Sequence, residues 1–251
     1  MSAMHGYFST QPTIERKLFD AFAPGVAYIS VEKADGSQNI GTCFHIGENV
    51  FVTARHVVEG LEIREIATTD VGVKWTPRGA TATYPGGKAE KIHGPYFHPD
   101  RRYDLAALRV TGIHPPQIPL FPCLEDPFDN RLLLKSVIVM GFPPIPGSKK
   151  PTLVCVRGEV SATFINYLDS QQTYIVSTLA RGGFSGGPAI TEPNHSLGVI
   201  TRSFGHESVP AELGFMALVG PLPVLEMLDA NHIMPGYLRK ELWEPYKNAP
   251  A

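Results

Sequence analysis

From Val26 to Glu32 the chain reads Val-Ala-Tyr-Ile-Ser-Val-Glu, and over this stretch the hydrophobic period changes to two. Upstream, residues 12–22 (PTIERKLFDAF) place Ile14, Leu18, Phe19 and Phe22 at the spacing of a short amphipathic helix. Thr13 is its expected N-cap, and Pro24-Gly25 closes it. Downstream, short runs rich in β-branched residues recur: VFVTA (50–54), LAALRV (105–110), SVIVM (136–140), TLVCV (152–156), TYIVS (173–177), LGVIT (197–201) and LGFMALV (213–219). Gly, Pro, Asn and Asp bound most of them, as strands of a barrel or sandwich require. The proline-rich segment 114–130 interrupts the series and reads as a crossover, because Pro is excluded from central strands. VLEMLDANHI (224–233) predicts a closing helix. The expected organisation is an extension over 1–24, an all-β half over 25–118, a linker over 119–130, a second all-β half over 131–222, and a helix and tail over 223–251.

Composition narrows the function classes. With 43% hydrophobic and 18% charged residues the chain can bury a core. Its 22 basic and 24 acidic residues leave a net charge of −2 without blocks of one sign, which gives no reason to expect nucleic acid or a membrane surface as partner. Three cysteines, Cys43, Cys123 and Cys155, form no metal-type or redox-type spacing and no even framework of bridges. No stretch of 18 apolar residues occurs, and the first residues lack a secretory pattern. These features lead us to expect a cytoplasmic location.

The strongest local signal is Gly182-Gly183-Phe184-Ser185-Gly186-Gly187-Pro188. Glycines let backbone N–H groups turn toward one point, as an enzyme needs where an acyl oxygen becomes negative in the transition state. The bland alternative is a glycine-rich hairpin turn. A nucleophilic Ser needs a base, and His56 lies in Phe51-Val52-Thr53-Ala54-Arg55-His56-Val57-Val58, at the end of a strand-like run that would hold its ring rigidly. The base needs a carboxylate to fix its tautomer, and Asp104 opens the apolar run Leu105-Ala106-Ala107-Leu108. Each of these two residues alone reads equally as a surface histidine and a strand-end cap.

Together the three segments resemble those of the trypsin-like, chymotrypsin-fold serine peptidases. T-A-R-H-V-V resembles that family's T-A-x-H, Y-D-L-A-A-L its D-[IL]-A-x-L, and G-F-S-G-G-P its G-x-S-G-G-P. The order and the separations of 48 and 81 residues also match. V-M-G-F-P (139–143) and L-G-V-I-T (197–201) are similar to segments of the bacterial HtrA/Deg-like branch. The resemblance implies two six-stranded antiparallel β-barrels and a serine endopeptidase acting on protein or peptide substrates. His56 would be the base, Asp104 the orienting acid and Ser185 the nucleophile, with the amides of Gly183 and Ser185 forming the oxyanion hole. It implies further that Thr201 supports the acid, that Arg202 and Ser203 run beside the substrate, and that Leu179 helps to shape the primary pocket, which would take an uncharged or aliphatic side chain, or an acidic one if Arg181, Arg202 or His206 attracts it. No cofactor or metal is required.

The departures from the family carry their own expectations. Phe184 stands where zymogen-derived relatives carry an acid that pairs with a new N-terminus, so that switch is not expected here. Val57 stands where those relatives carry a cysteine. A PDZ domain is not expected, since only about 30 residues follow the second half. Without a zymogen switch, gating by a regulatory protein partner, an oligomeric state or ordering of the loop 178–184 is the expected control. Three rivals have distinct signatures. A latent peptide-binding module would keep the fold without turnover. An α/β-hydrolase also fits G-x-S-x-G, but would place a helix after Ser185 and its acid and His further on. A metal site at Cys43-x-His45 would need two more ligands.

Overall fold

The computed structural model describes residues 12–72, 74–76, 79–122, 130–166, 171–178, 182–203 and 214–248. Thr13 caps the first helix, α1 (Ile14–Phe22), with its hydroxyl accepting the Arg16 N–H at 3.2 Å. Leu18 is the residue that α1 buries, and a short 3₁₀ turn over Ala23–Gly25 hands the chain to the first strand.

Strands β1 (Val26–Glu32), β2 (Gln38–His45) and β3 (Val50–Thr53) form a meander. The first turn closes through Gly36 N–H to Lys33 O at 2.9 Å, with Asp35 accepting from Ser37 N–H at 2.9 Å. A single helical turn, α2 (Arg55–Val58), follows β3. Then come β4 (Glu62–Thr68), the small hairpin of β5 (Lys74–Thr76) and β6 (Gly79–Thr81), β7 (Lys91–Phe97) and β8 (Ala106–Thr111). The six longer strands make one antiparallel sheet in the order β4-β1-β2-β3-β8-β7. Its two edges approach through an antiparallel bridge between Ala67 and Lys88 and an Ala89 N–H to Ile66 O bond of 2.9 Å.

The second half holds β9 (Ser136–Gly141), β10 (Val154–Asn166), β11 (Gln171–Ser177), β12 (Pro188–Thr191), β13 (His195–Ser203) and β14 (Phe215–Val219). They close into an antiparallel barrel in the order β10-β11-β14-β13-β12-β9, which leaves no free edge. Helix α3 (Pro221–Ala230) follows, with Pro in its first turn where a missing N–H costs nothing. The expected chymotrypsin-type architecture of two six-stranded units is present, one closed and one nearly so.

The core has three parts. Ile29, Phe51, Ile66 and Leu108 fill the first unit, and Val139, Val176, Phe184 and Leu218 fill the second. A third cluster joins them: Phe44, Val52 and Leu105 from the first sheet meet Ile138, Met140, Ile190 and Val199 from the second, with Val224, Leu225 and Leu228 of α3. Each such side chain contributes about 1.5–3 kcal/mol of transfer free energy. The two sheets therefore share a continuous apolar junction, and α3 belongs to it rather than to the surface.

Candidate active site

His56 does not sit on a strand end, as its sequence context suggested. Val57 N–H bonds to Ala54 O at 3.2 Å and Glu59 N–H to Arg55 O at 2.8 Å, so the chain turns helically after Thr53. The helical period buries Arg55, Val57 and Val58 and leaves His56 outward, its side chain 49% exposed. The ring is nonetheless fixed. His56 Nδ1 lies 2.7 Å from Asp104 Oδ2, and His56 N–H donates to Asp104 Oδ1 at 2.9 Å. Both carboxylate oxygens of Asp104 thus face one residue. Arg55 N–H donates to Asp104 O at 3.2 Å, which ties the backbone on either side of this pair. Asp104 lies just ahead of β8, and its carboxylate is 16% exposed.

Ser185 sits in a loop whose shape its glycines set. Gly183 has φ +95°, and a Cβ there would lie 2.3 Å from Phe142 O. Gly186 has φ +85°, with a Cβ falling 2.0 Å from Thr42 O and 2.2 Å from Thr53 Oγ1. Phe184 points inward, 3% exposed, into the second barrel's core. Ser185 O accepts from Thr42 N–H at 3.0 Å, and Gly186 N–H donates to Ile200 O at 2.7 Å. Among the described residues, neither the Gly183 N–H nor the Ser185 N–H donates to a protein acceptor. These two backbone donors, on either side of Phe184, therefore have no protein partner among the described residues.

Sequence reading overlooked the residue that holds this loop. Thr42, fully buried on β2, donates its hydroxyl to Gly183 O at 2.6 Å and accepts from Phe142 N–H at 3.0 Å. Thr53 Oγ1 in turn donates to Thr42 O at 2.7 Å. A Thr at the middle of a strand carries no sequence signal for such a role, because its partner Gly183 is 141 residues away.

His56, Gly183 and Ser185 line one cavity of ≈ 420 Å³, together with Val31, Ile40, Val57, Leu61 and Pro144. Larger cavities of ≈ 660 Å³ and ≈ 500 Å³ lie against the first sheet, and neither touches His56, Asp104 or Ser185. Size alone does not single out a site here; the His56–Asp104 hydrogen bond beside a cavity that His56 and Ser185 share does.

The remaining expected site residues are placed as follows. Thr201 is buried at a bulge of β13, between Ile200 paired with Leu218 and Arg202 paired with Ala217. Among the described residues no hydrogen bond joins Thr201 to Asp104. Arg202 and Ser203 continue β13 along its pairing with Ala217 and Met216, and their side chains lie outside the described residues. Leu179 is also outside them. Cys43 and His45 are both buried on β2; burial pushes the Cys43 thiol pKa up, and the His45 ring packs on Phe51 at 5.0 Å. No group of three His, Cys, Asp or Glu suited to a metal occurs among the described residues. After Ser185 the chain enters β12 rather than a helix, unlike the elbow of an α/β-hydrolase.

The trypsin-like peptidase domain, as a family model, matches residues 41–199, well over half of the chain. No curated protein sequence matches it. Among solved structures, a variant of the HtrA-type protease AlgW with a tripeptide superposes with a TM-score of 0.61 at 19% identity, over 89% of this chain and 65% of that one. The serine endoprotease from Yersinia pestis gives 0.59 at 19% identity, over 89% of this chain and 68% of that one. The Rv3671c protease from M. tuberculosis in its active form gives 0.59 at 17% identity, over 90% and 93%. At these identities the likeness is one of fold, and this chain spans about two thirds of the AlgW structure. The chain belongs to the trypsin-like peptidase family.

Proposed function

We propose that this domain hydrolyses peptide bonds through an acyl-enzyme formed on Ser185, with His56 as general base and Asp104 as the residue that orients it. The observation that carries this reading is the His56 Nδ1 to Asp104 Oδ2 contact of 2.7 Å beside a cavity that His56, Ser185 and Gly183 line together. With Nδ1–H engaged by the carboxylate, Nε2 is the ring nitrogen free to accept a proton. Ser185 Oγ loses its proton to His56 as it attacks the carbonyl carbon of the scissile bond. The carbonyl oxygen becomes negative and takes up the unspent N–H groups of Gly183 and Ser185. Imidazolium His56 then protonates the leaving amine, the C–N bond breaks, and the acyl group stays on Ser185. Water, deprotonated by His56, attacks the ester and releases the acid, returning the proton to Ser185.

A peptide substrate fits the tripeptide that accompanies AlgW. With Leu179 six residues before the nucleophile, we assign the primary pocket an uncharged preference. Labelling with a fluorophosphonate tests the whole reading. The native chain should label at Ser185, and Ser185→Ala and His56→Ala should each abolish the signal. A folded native chain that never labels would point instead to a latent peptide-binding module.

A further inference from the structure

We propose that Arg55 is a positioning residue for Asp104, fastening both ends of the loop 98–104 that carries the acid and thereby setting the His56–Asp104 hydrogen bond. The inference rests on the roles of His56 and Asp104 proposed above. Arg55 precedes His56 on α2 but points the other way, into the protein, with its side chain only 9% exposed. Its Nη2 donates to His98 O at 2.6 Å and its Nε to Tyr103 O at 3.4 Å. Its backbone N–H donates to Asp104 O at 3.2 Å. One residue therefore meets the carbonyls at positions 98, 103 and 104.

The loop depends on that anchor. Its base is closed by the His98 N–H to Leu105 O bond at 3.3 Å, and its tip is held internally by Asp100, which accepts from Arg102 N–H at 2.9 Å. On the other flank, Asn231 at the end of α3 donates to Phe97 O at 3.0 Å. The peptide segment leading into Asp104 is thus gripped by α2 from one side and by α3 from the other.

Only an arginine suits the position between two carbonyls and a ring. The planar fork presents several donors in fixed directions, and it lies over the Phe97 ring at 4.6 Å. A lysine ammonium is a single point and cannot reach two carbonyls while covering a ring. The Glu59 carboxylate, 3.3 Å from Nη1, also pairs with Arg101 at 3.1 Å and is 40% exposed, so solvent screens the ion pair. The specific part of the arrangement is the grip on the loop carbonyls. A purely architectural arginine would stabilise the fold equally well without reference to Asp104, and the two roles separate by what changes when it is replaced.

The test compares Arg55→Leu, Arg55→Lys and Glu59→Gln in the full chain. Complete loss of the acid's function costs a triad about 10⁴ in kcat, and a misplacement of about 1 Å costs about 10². Loosening the loop should therefore lower the rate of peptide cleavage or fluorophosphonate labelling by about 10–100-fold in Arg55→Leu, with KM within about threefold. Arg55→Lys should fall between Arg55→Leu and the native chain, and Glu59→Gln should stay within about twofold of native. The low-field proton NMR signal of His56 Nδ1–H should weaken or shift in both Arg55 variants and persist in Glu59→Gln. A folded Arg55→Leu with native rate, or with an unchanged low-field signal, overturns the proposal. So does a Glu59→Gln as slow as Arg55→Leu, since the ion pair would then be the agent. If Arg55→Leu does not fold, Arg55→Lys carries the same readings. The NMR signal needs no turnover, so a native chain that fails to label refutes the proposed reaction without deciding the role of Arg55.

Discussion

Replacing Thr42 by Val tests whether the loop before Ser185 is held from the neighbouring sheet. Val keeps the shape of Thr and removes only the hydroxyl, so no cavity is made. Two hydrogen bonds disappear, Thr42 Oγ1 to Gly183 O at 2.6 Å and Phe142 N–H to Thr42 Oγ1 at 3.0 Å. Neither partner is stranded, because Phe142 N–H also reaches Gly183 O at 3.2 Å. The expected loss of stability is therefore that of two ordinary bonds, about 1–3 kcal/mol by urea unfolding. The expected effect on rate comes from Gly183, whose N–H we propose as one of two donors for the developing oxyanion. Deleting such a donor costs about 10²–10³ in kcat. Weakening its anchor by about 1.4 kcal/mol lets misaligned loop states compete and should lower the labelling rate about tenfold. Thr42→Ser keeps the hydroxyl and should label within about twofold of the native chain. The assay is the pseudo-first-order rate of fluorophosphonate labelling at Ser185, measured below the unfolding transition. A Thr42→Val chain that labels at the native rate would refute the reasoning. So would equal losses in Thr42→Ser and Thr42→Val, since a variant that keeps the hydroxyl would then be as slow as one that lacks it.

Phe184 should tolerate Leu and reject Asp: at 3% exposure a lone carboxylate would be buried in the second barrel, at a cost of several kcal/mol, whereas Leu loses about 1–1.5 kcal/mol. Thermal unfolding and labelling should show Phe184→Leu near native and Phe184→Asp unfolded or unlabelled, and an active, stable Phe184→Asp would show that the loop does not need its apolar anchor. Burial holds the His45 pKa below the ordinary histidine value, with the backbone oxygens of Pro116 and Pro115 opposing the shift. The unfolded chain therefore binds a proton that the folded chain refuses, so His45 makes stability fall as pH drops through about 6.5 toward its folded value. Urea midpoints at several pH values should show a shallower acid-side loss for His45→Gln than for the native chain, and parallel curves would remove His45 from this role.

The reading of period two over 26–32 gave β1 with its observed bounds, and the runs at 50, 136, 173 and 213 fell on strands. The strands that escaped notice have a common physical reason. β2 (QNIGTCFH) begins exposed and ends fully buried, β4 (EIREIAT) alternates with charged residues, and β7 (KIHGPYF) carries a Gly-Pro at a register shift. Their strand character comes from pairing with neighbours that a local window cannot see. The chemistry was more legible than the scaffold. His56 and Asp104 were placed together by motif order and are in contact. The helical turn that aims His56 outward was not read, because a four-residue helix is shorter than the window in which its period shows. Arg55 and Thr42 were passed over because each acts on backbone carbonyls far away in sequence, and carbonyls are identical at every position.

The glycines around Ser185 read, in sequence, as a cradle for an oxyanion, and the structure gives most of them a second cause. Gly186 is small because the first sheet's backbone passes against it: Thr42 O and Thr53 Oγ1 occupy the space a side chain would need. Gly187 is likewise confined by Met140 O, where a Cβ would fall 2.2 Å away. Ser185 lies in the loop that leads into the closed barrel's β12, whereas His56 and Asp104 lie beside β3 and β8 of the other sheet, so their alignment depends on how closely the two units approach. Apolar packing in the cluster that holds both Phe44 and Met140 supplies the affinity between the units, but it is non-directional and leaves small sliding motions cheap. Direction is supplied where the loop meets β2, by Thr42 N–H to Ser185 O, Thr42 Oγ1 to Gly183 O and Thr53 Oγ1 to Thr42 O. Close approach permitted by glycine and hydrogen bonds supplied by threonine are thus one device. A substitution that relaxes either half should disturb the register between Ser185 and His56 before it disturbs the fold of either sheet.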